Sequence, residues 1–123
     1  MTYQAVNTVL WLDIPVLNLD RAIAFYEALL NIPARDRRPA MNSAAFQFAP
    51  VGSGFTLIEV ETKPPASGIL PYLNCNGRLE QALSKVSLHG GKVEQGRHGM
   101  EPFGYRAVIV DCEGNRLALH SAE

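Results

Sequence analysis

The chain has 123 residues, 47% of them hydrophobic and 19% charged, with a formal net charge of -1, the make-up of one globular domain with a real core. Near-neutral charge and modest aromatic content give no electrostatic reason to expect nucleic acid or a membrane surface, and no apolar run reaches the roughly 18 residues of a membrane span. With no basic region followed by an apolar stretch near the first residue, the expectation is a cytoplasmic protein whose partners are small molecules or a second copy of itself.

Thr8 to Val16 places Leu10, Leu12, Ile14 and Val16 on one side and Val9, Trp11 and Asp13 on the other, the period of a strand with one packed face. Asn18 is a good helix N-cap, and Leu19, Ala22, Ile23, Tyr26, Leu29 and Leu30 then recur at helical spacing before Pro33 stops the pattern. Ala34 to Met41, with Arg35, Arg37 and Arg38 around Asp36, reads as a solvated loop or an edge strand, with an anion-contacting role as the minor alternative. Ala44 to Ala49 and Phe55 to Glu61 read as two short strands joined by a turn at 50–54. In the second of these, Thr56, Ile58 and Val60 share one face and Phe55, Leu57, Glu59 and Glu61 the other.

Residues 63–68 are rich in proline and small side chains, the one linker-like segment, close to the midpoint of the chain. Beyond it, Ile69 to Cys75 reads as a strand, Leu79, Ala82, Leu83 and Val86 as a helix stopped by Gly90-Gly91, and Lys92 to Gln95 as a short strand. His89 ends that helix, where a cation suits the last carbonyls, and His98 falls in a glycine-punctuated segment, Gly96 to Gly104, read as a surface connection. Tyr105 to Val110, the turn Asp111-Cys112-Glu113-Gly114-Asn115, and Arg116 to His120 form a hairpin with Leu117 and Leu119 on the packed face and Arg116, Ala118 and His120 on the other. The two helix faces match at an offset of about sixty residues, as a duplicated unit would leave them. The fold class is therefore α+β: two tandem β-α-β-β-β modules over about 5–62 and 69–121, packed as one domain with helices outside and a concave sheet surface between. Cys75 and Cys112 lie outside any CxxC spacing, which argues against a disulfide framework or a thiolate metal site.

With that duplication in place, the motifs Leu12-Asp13-Ile14-Pro15-Val16, Asn18-Leu19-Asp20-Arg21-Ala22, Ala24-Phe25-Tyr26, Gly90-Gly91-Lys92-Val93 and Asp111-Cys112-Glu113-Gly114-Asn115-Arg116-Leu117 resemble those of the vicinal oxygen chelate superfamily. That superfamily holds glyoxalases, extradiol dioxygenases, and bleomycin- and fosfomycin-resistance proteins. Cys112 stands where the family usually has proline. The resemblance implies a cup of curled strands, commonly a homodimer, and in metal-using members four ligands from the first and fourth strands of each module. Carried over by position, these are Trp11, Glu59, Leu70 and Ala118. Only Glu59 has a donor atom for a divalent cation, so no metal site of the usual kind is expected.

Strand alternation gives the concave face as Trp11, Asp13, Leu57, Glu59, Glu61, Leu70, Tyr72, Asn74, Arg116 and His120. Trp11 and Tyr72 could stack on an apolar or planar ligand and Arg116 could pair with a carboxylate or phosphate, or else the walls simply fill a collapsed cup and Arg116 neutralises Glu59 or Glu61. Glu59 with His120 could serve as acid and base for isomerisation or proton abstraction beside a carbonyl, against the plainer reading of a rim ion pair. Asp13, Glu59 and His120 as a displaced site for Zn, Ni or Fe are a third possibility. The main expectation is a metal-independent binder of a small molecule. The alternative is a lyase or isomerase resembling lactoylglutathione lyase, and a dimer with no small-molecule role stands third.

Overall fold

The computed structural model describes residues 11–49, 52–62 and 69–123. The expected linker at 63–68 and the start of the first expected strand lie outside them. The first half runs β1 (Trp11–Val16), α1 (Leu19–Leu30), β2 (Arg35–Arg38), a 3-10 turn at Pro39–Met41, β3 (Ser43–Phe46) and β4 (Gly54–Glu59). The second runs β5 (Tyr72–Asn74), α2 (Leu79–Leu88), β6 (Lys92–Gly99), β7 (Tyr105–Val110) and β8 (Arg116–Ser121). Each half is β-α-β-β-β, and each sheet has its strands in the same order, β1-β4-β3-β2 and β5-β8-β7-β6. In each, the first strand pairs parallel with the fourth and the other neighbours are antiparallel. The registers correspond as well: Ile14 faces Leu57 across the first parallel pair and Leu73 faces Leu119 across the second.

α1 forms where the apolar spacing predicts it. Asn18 accepts from the Arg21 N–H at 3.0 Å, and Asn31 closes the helix in the left-handed region, φ 57°. The buried stripe is wider than predicted because Phe25 joins it. Phe25 turns away from its own sheet toward the second half, against the turn that follows α2. There Gly91 has no room for a side chain: a Cβ would stand 2.8 Å from the Phe25 ring and 2.9 Å from Val86. On the other side of α1, Tyr26, Phe46 and Phe55 pack with ring centroids 5.1–6.0 Å apart. One continuous core results, built from both helices and the helix-facing side of both sheets.

Two expectations are revised and one is decided between its alternatives. Leu57 is fully buried in this core beside Phe55, because the aromatic trio draws that face of β4 under α1, so Thr56 and Ile58 take the open face. The predicted short strand at Lys92 extends to Gly99, which puts His98 on β6 and not in a loop; register shifts at Val93/Gln95 and Gln95/His98 hide its period. The arginine-rich segment resolves in favour of an edge strand, exposed along its whole length.

The halves are joined by the β7–β8 turn. The Asp111 carboxyl accepts from the Tyr26 hydroxyl at 2.6 Å, from the Glu113 and Asn115 N–H groups at 2.8 Å, and from the Asn115 side chain at 3.1 Å. The Glu113 carboxylate, its side chain wholly buried, accepts from the Leu17 and Asn18 N–H groups and takes the Arg21 guanidinium in a two-pronged pair. Asn115 donates to the Pro15 carbonyl at 3.1 Å. At the opposite end of α1, Arg78 donates to the Leu29 carbonyl at 2.5 Å.

Burial, and then the adjacent Asp111, push the Tyr26 hydroxyl well above its ordinary 10.0. Burial pushes Cys75 up to about 11. All three of Tyr26, Cys75 and Cys112 are held protonated by the fold, Cys112 being pushed up to about 12. Their contribution to stability is whole below the unfolded thiol value of 9.0 and is lost as pH climbs through 11 to 12. We expect urea unfolding to show a clear drop in stability between about pH 8 and about pH 11. Tyr26→Phe should cost about 1–3 kcal/mol at neutral pH and flatten the alkaline loss; a variant matching the parent at both pH values would contradict the assignment.

Candidate functional site

The open face of the first sheet carries a cavity of about 370 Å³. Its position follows from strand alternation: Ile14 and Val16 are spent on the core, so Trp11 and Asp13 of β1 point the other way. Thr56 and Ile58 of β4 lie beside them, Ser43 and Ala45 of β3 form a floor, and Asp36, Arg38 and Met41 close the far wall. The Trp11 indole N–H donates to the Thr56 hydroxyl at 2.7 Å, which fixes the plane of a ring that remains 38% exposed. The site thus has an immobilised aromatic wall, a small-residue floor, and charged groups of both signs at its rim. Of these, Trp11 and Asp13 are legible in the strand period. Thr56 and Ile58 are missed through the face of β4 just described, although the need to bury Phe55 was the available signal.

The other predicted site residues are dispersed. Glu59 lies at the end of β4 and accepts from the Leu19 N–H at 2.8 Å, where its charge suits the positive end of α1. His120 belongs to the second sheet, paired with Asn74 and Arg106, and its Nε2 is 2.5 Å from the Phe103 carbonyl. No hydrogen bond or ion pair joins Glu59 to His120. Arg116 pairs with Glu94 at 2.7 Å, and with neither Glu59 nor Glu61. Leu70, Tyr72 and Asn74 border a second, more apolar cavity of about 460 Å³ that also touches Leu30, Phe46 and Phe48. Within it the Asn74 side-chain Oδ1 accepts from the Asn76 N–H at 2.9 Å. The Tyr72 hydroxyl accepts from Arg106.

The matched registers also correct the position-by-position metal assignment. Since Leu57 corresponds to Leu119, the first-module counterpart of Ala118 is Thr56, and Glu59 corresponds to Ser121. The four positions are then Trp11, Thr56, Leu70 and Ala118, a donor set that does not fit a divalent cation. Asp13, Glu59 and His120 do not converge either: among the described residues no group of three His, Cys, Asp or Glu side chains is placed to hold a metal ion.

Cys112 sits in the turn with its sulfur directed at the Arg21 carbonyl, 3.9 Å away. Burial, and then Asp111 and Glu113 beside it, push the thiol up to about 12. We expect iodoacetamide at about pH 8 to alkylate Cys112 in the folded protein far more slowly than a free thiol, with ordinary reactivity returning in urea. Mass mapping that finds Cys112 modified at the free-thiol rate would refute this.

No protein-family model matches the sequence and no curated protein matches it. Solved structures do. A hypothetical protein from S. aureus is 22% identical over 95% of each chain with a TM-score of 0.72. A glyoxalase/bleomycin resistance protein from Albidiferax ferrireducens is 15% identical over 94% of this chain and 98% of that one, TM-score 0.78. A genomically encoded fosfomycin resistance protein from Listeria monocytogenes is 13% identical over 94% and 91%, TM-score 0.72. The chain therefore has the glyoxalase/bleomycin resistance fold, the fold of the vicinal oxygen chelate superfamily. Among its described residues no helix is long and apolar enough to cross a membrane.

Proposed function

We propose that this chain is a cytoplasmic, homodimeric small-molecule-binding protein of the glyoxalase/bleomycin-resistance type, which holds its ligand against the open face of the first sheet without the metal that family members commonly use. The observation that carries the reading is the Trp11–Thr56 hydrogen bond. A tryptophan pinned by a hydrogen bond in the wall of a cavity is a prepared stacking surface, and Asp13 and Arg38, which also line it, offer polar groups to orient what stacks there. The metal-free part of the reading rests on donor chemistry, since indole, hydroxyl, isobutyl and methyl groups at the four family positions would hold a divalent cation poorly. The glyoxalase-like lyase or isomerase is the weaker reading, because Glu59 is engaged as a helix cap on one module and His120 lies on the other.

Trp11 is the single tryptophan of the chain, so intrinsic emission reports on this cavity directly. Bleomycin, fosfomycin and a panel of planar aromatic compounds should include at least one that changes the emission saturably. In Trp11→Ala the same compound, followed by calorimetry, should bind at least about tenfold more weakly. A flat response across the panel, or unchanged affinity in the variant, would overturn the proposal. Stoichiometric metal in protein purified without an affinity tag would overturn its metal-free part.

A further inference from the structure

The open face of the second sheet carries a cluster that none of the foregoing uses. Strand register sets Asn74 of β5, His120 of β8, Arg106 of β7 and His98 of β6 in one row across all four strands. Arg106 is the centre of the row. Its Nε donates to His98 Nε2 at 2.9 Å, and its Nη1 donates to the Tyr72 hydroxyl at 2.5 Å with the guanidinium 5.9 Å from the Tyr72 ring centre. His98 Nδ1 is 2.9 Å from the Gly96 carbonyl. An imidazole that accepts at Nε2 must carry its proton on Nδ1, so this contact fixes the tautomer.

Among the described residues every hydrogen-bond partner of Arg106 is thus a neutral acceptor. Among the described residues the arginines in ion pairs are Arg21, Arg37 and Arg116, and no carboxylate is bonded to Arg106. Two hydrogen bonds hold the guanidinium plane in place, and among the described residues none takes its Nη2 edge or second Nη1 proton and no carboxylate compensates its charge. The Tyr72 hydroxyl, having accepted from Arg106, has its own proton left to donate. Val108 and Ala118, the next row on the same face, are buried, whereas the Tyr72 ring is 47% exposed and offers an apolar surface beside Arg106.

From this we infer that Arg106, Tyr72 and His98 form an anion-binding site on the second sheet, which takes the carboxylate or phosphate group of a small molecule with an apolar body. Nη1, Nη2 and the phenol present converging donors of the kind that matches a two-oxygen anion, and charge-assisted bonds of this geometry are the strong ones. His98 contributes by holding the fork still, so that less freedom is lost on binding. The inference stands apart from the Trp11 cavity, which belongs to the other sheet.

The test is imidazole NMR of the intact chain titrated with sodium benzoate and with inorganic phosphate, against sodium chloride at equal ionic strength and neutral benzamide. Saturable shifts of the His98 signals are expected with both anions, at a Kd below about 1 mM. Arg106→Gln should weaken binding at least about tenfold, and Tyr72→Phe, which keeps the ring and the fold, should weaken it several-fold. Trp11→Ala should leave the shifts unchanged, which separates this site from the other. Shifts reproduced by chloride or benzamide, no saturation by either anion, or equal binding by Tyr72→Phe and folded Arg106→Gln would each overturn the inference.

Discussion

The structure depends on how the second module grips the first helix. α1 ends in unpaired N–H groups at one end and unpaired carbonyls at the other. Glu113 supplies a buried carboxylate to the first and Arg78 a guanidinium to the second, each of the sign that the helix dipole favours. Between them Tyr26 is tied to Asp111 and Phe25 is pressed against Gly91. A helix held at both ends and along one side cannot shift without breaking charged hydrogen bonds in a buried setting, where orphaned groups cost most. The relative placement of the two sheets follows from that grip.

What the grip leaves over is the pair of open faces, and the modules have diverged there. The buried positions correspond closely, Ile14 answering Leu73 and Leu57 answering Leu119. The open positions do not: Trp11, Thr56 and Ile58 on one sheet answer Leu70, Ala118 and His120 on the other. Packing constrains the shared face in both copies alike, whereas nothing in the core constrains the opposite one. A scaffold of this kind can change its ligand chemistry without changing its fold, which is why likeness of fold alone does not name a substrate.

Much of the architecture was legible from local pattern. α1 has an apolar period, an Asn18 cap and a Pro33 stop, and the β7–β8 hairpin has alternation on both sides of a glycine turn. The duplication is written in the matching helix faces. The site was less legible for a definite reason. β4 bears apolar residues on both faces, so its period does not say which is inward; the answer comes from the rings of Tyr26 and Phe46, which arrive from other elements. Glu59 looks available until its partner, the start of a helix 40 residues earlier, is seen. β6 is an edge strand with bulges, whose exposure and shifted register erase any alternation. Arg106 is not legible in the sequence because its significance lies in having no carboxylate partner among the described residues, a property of three strands together.

The grip on α1 has a further consequence at the ribosome. Arg21 and Glu113 stand 92 residues apart, and Tyr26 and Asp111 are 85 apart. Synthesis runs from the first module to the last hairpin, so the nascent first half emerges with the start of its helix lacking Glu113 and the Phe25 face bare. Completion waits until the β7–β8 turn has left the exit tunnel. For a chain of this size that interval lasts seconds, during which apolar surface later buried between the modules is open to other chains. The closing turn is therefore a checkpoint on both modules: in a product truncated before Glu113 the first helix keeps its Asn18 cap and the Glu59 contact but is not fastened to the second sheet.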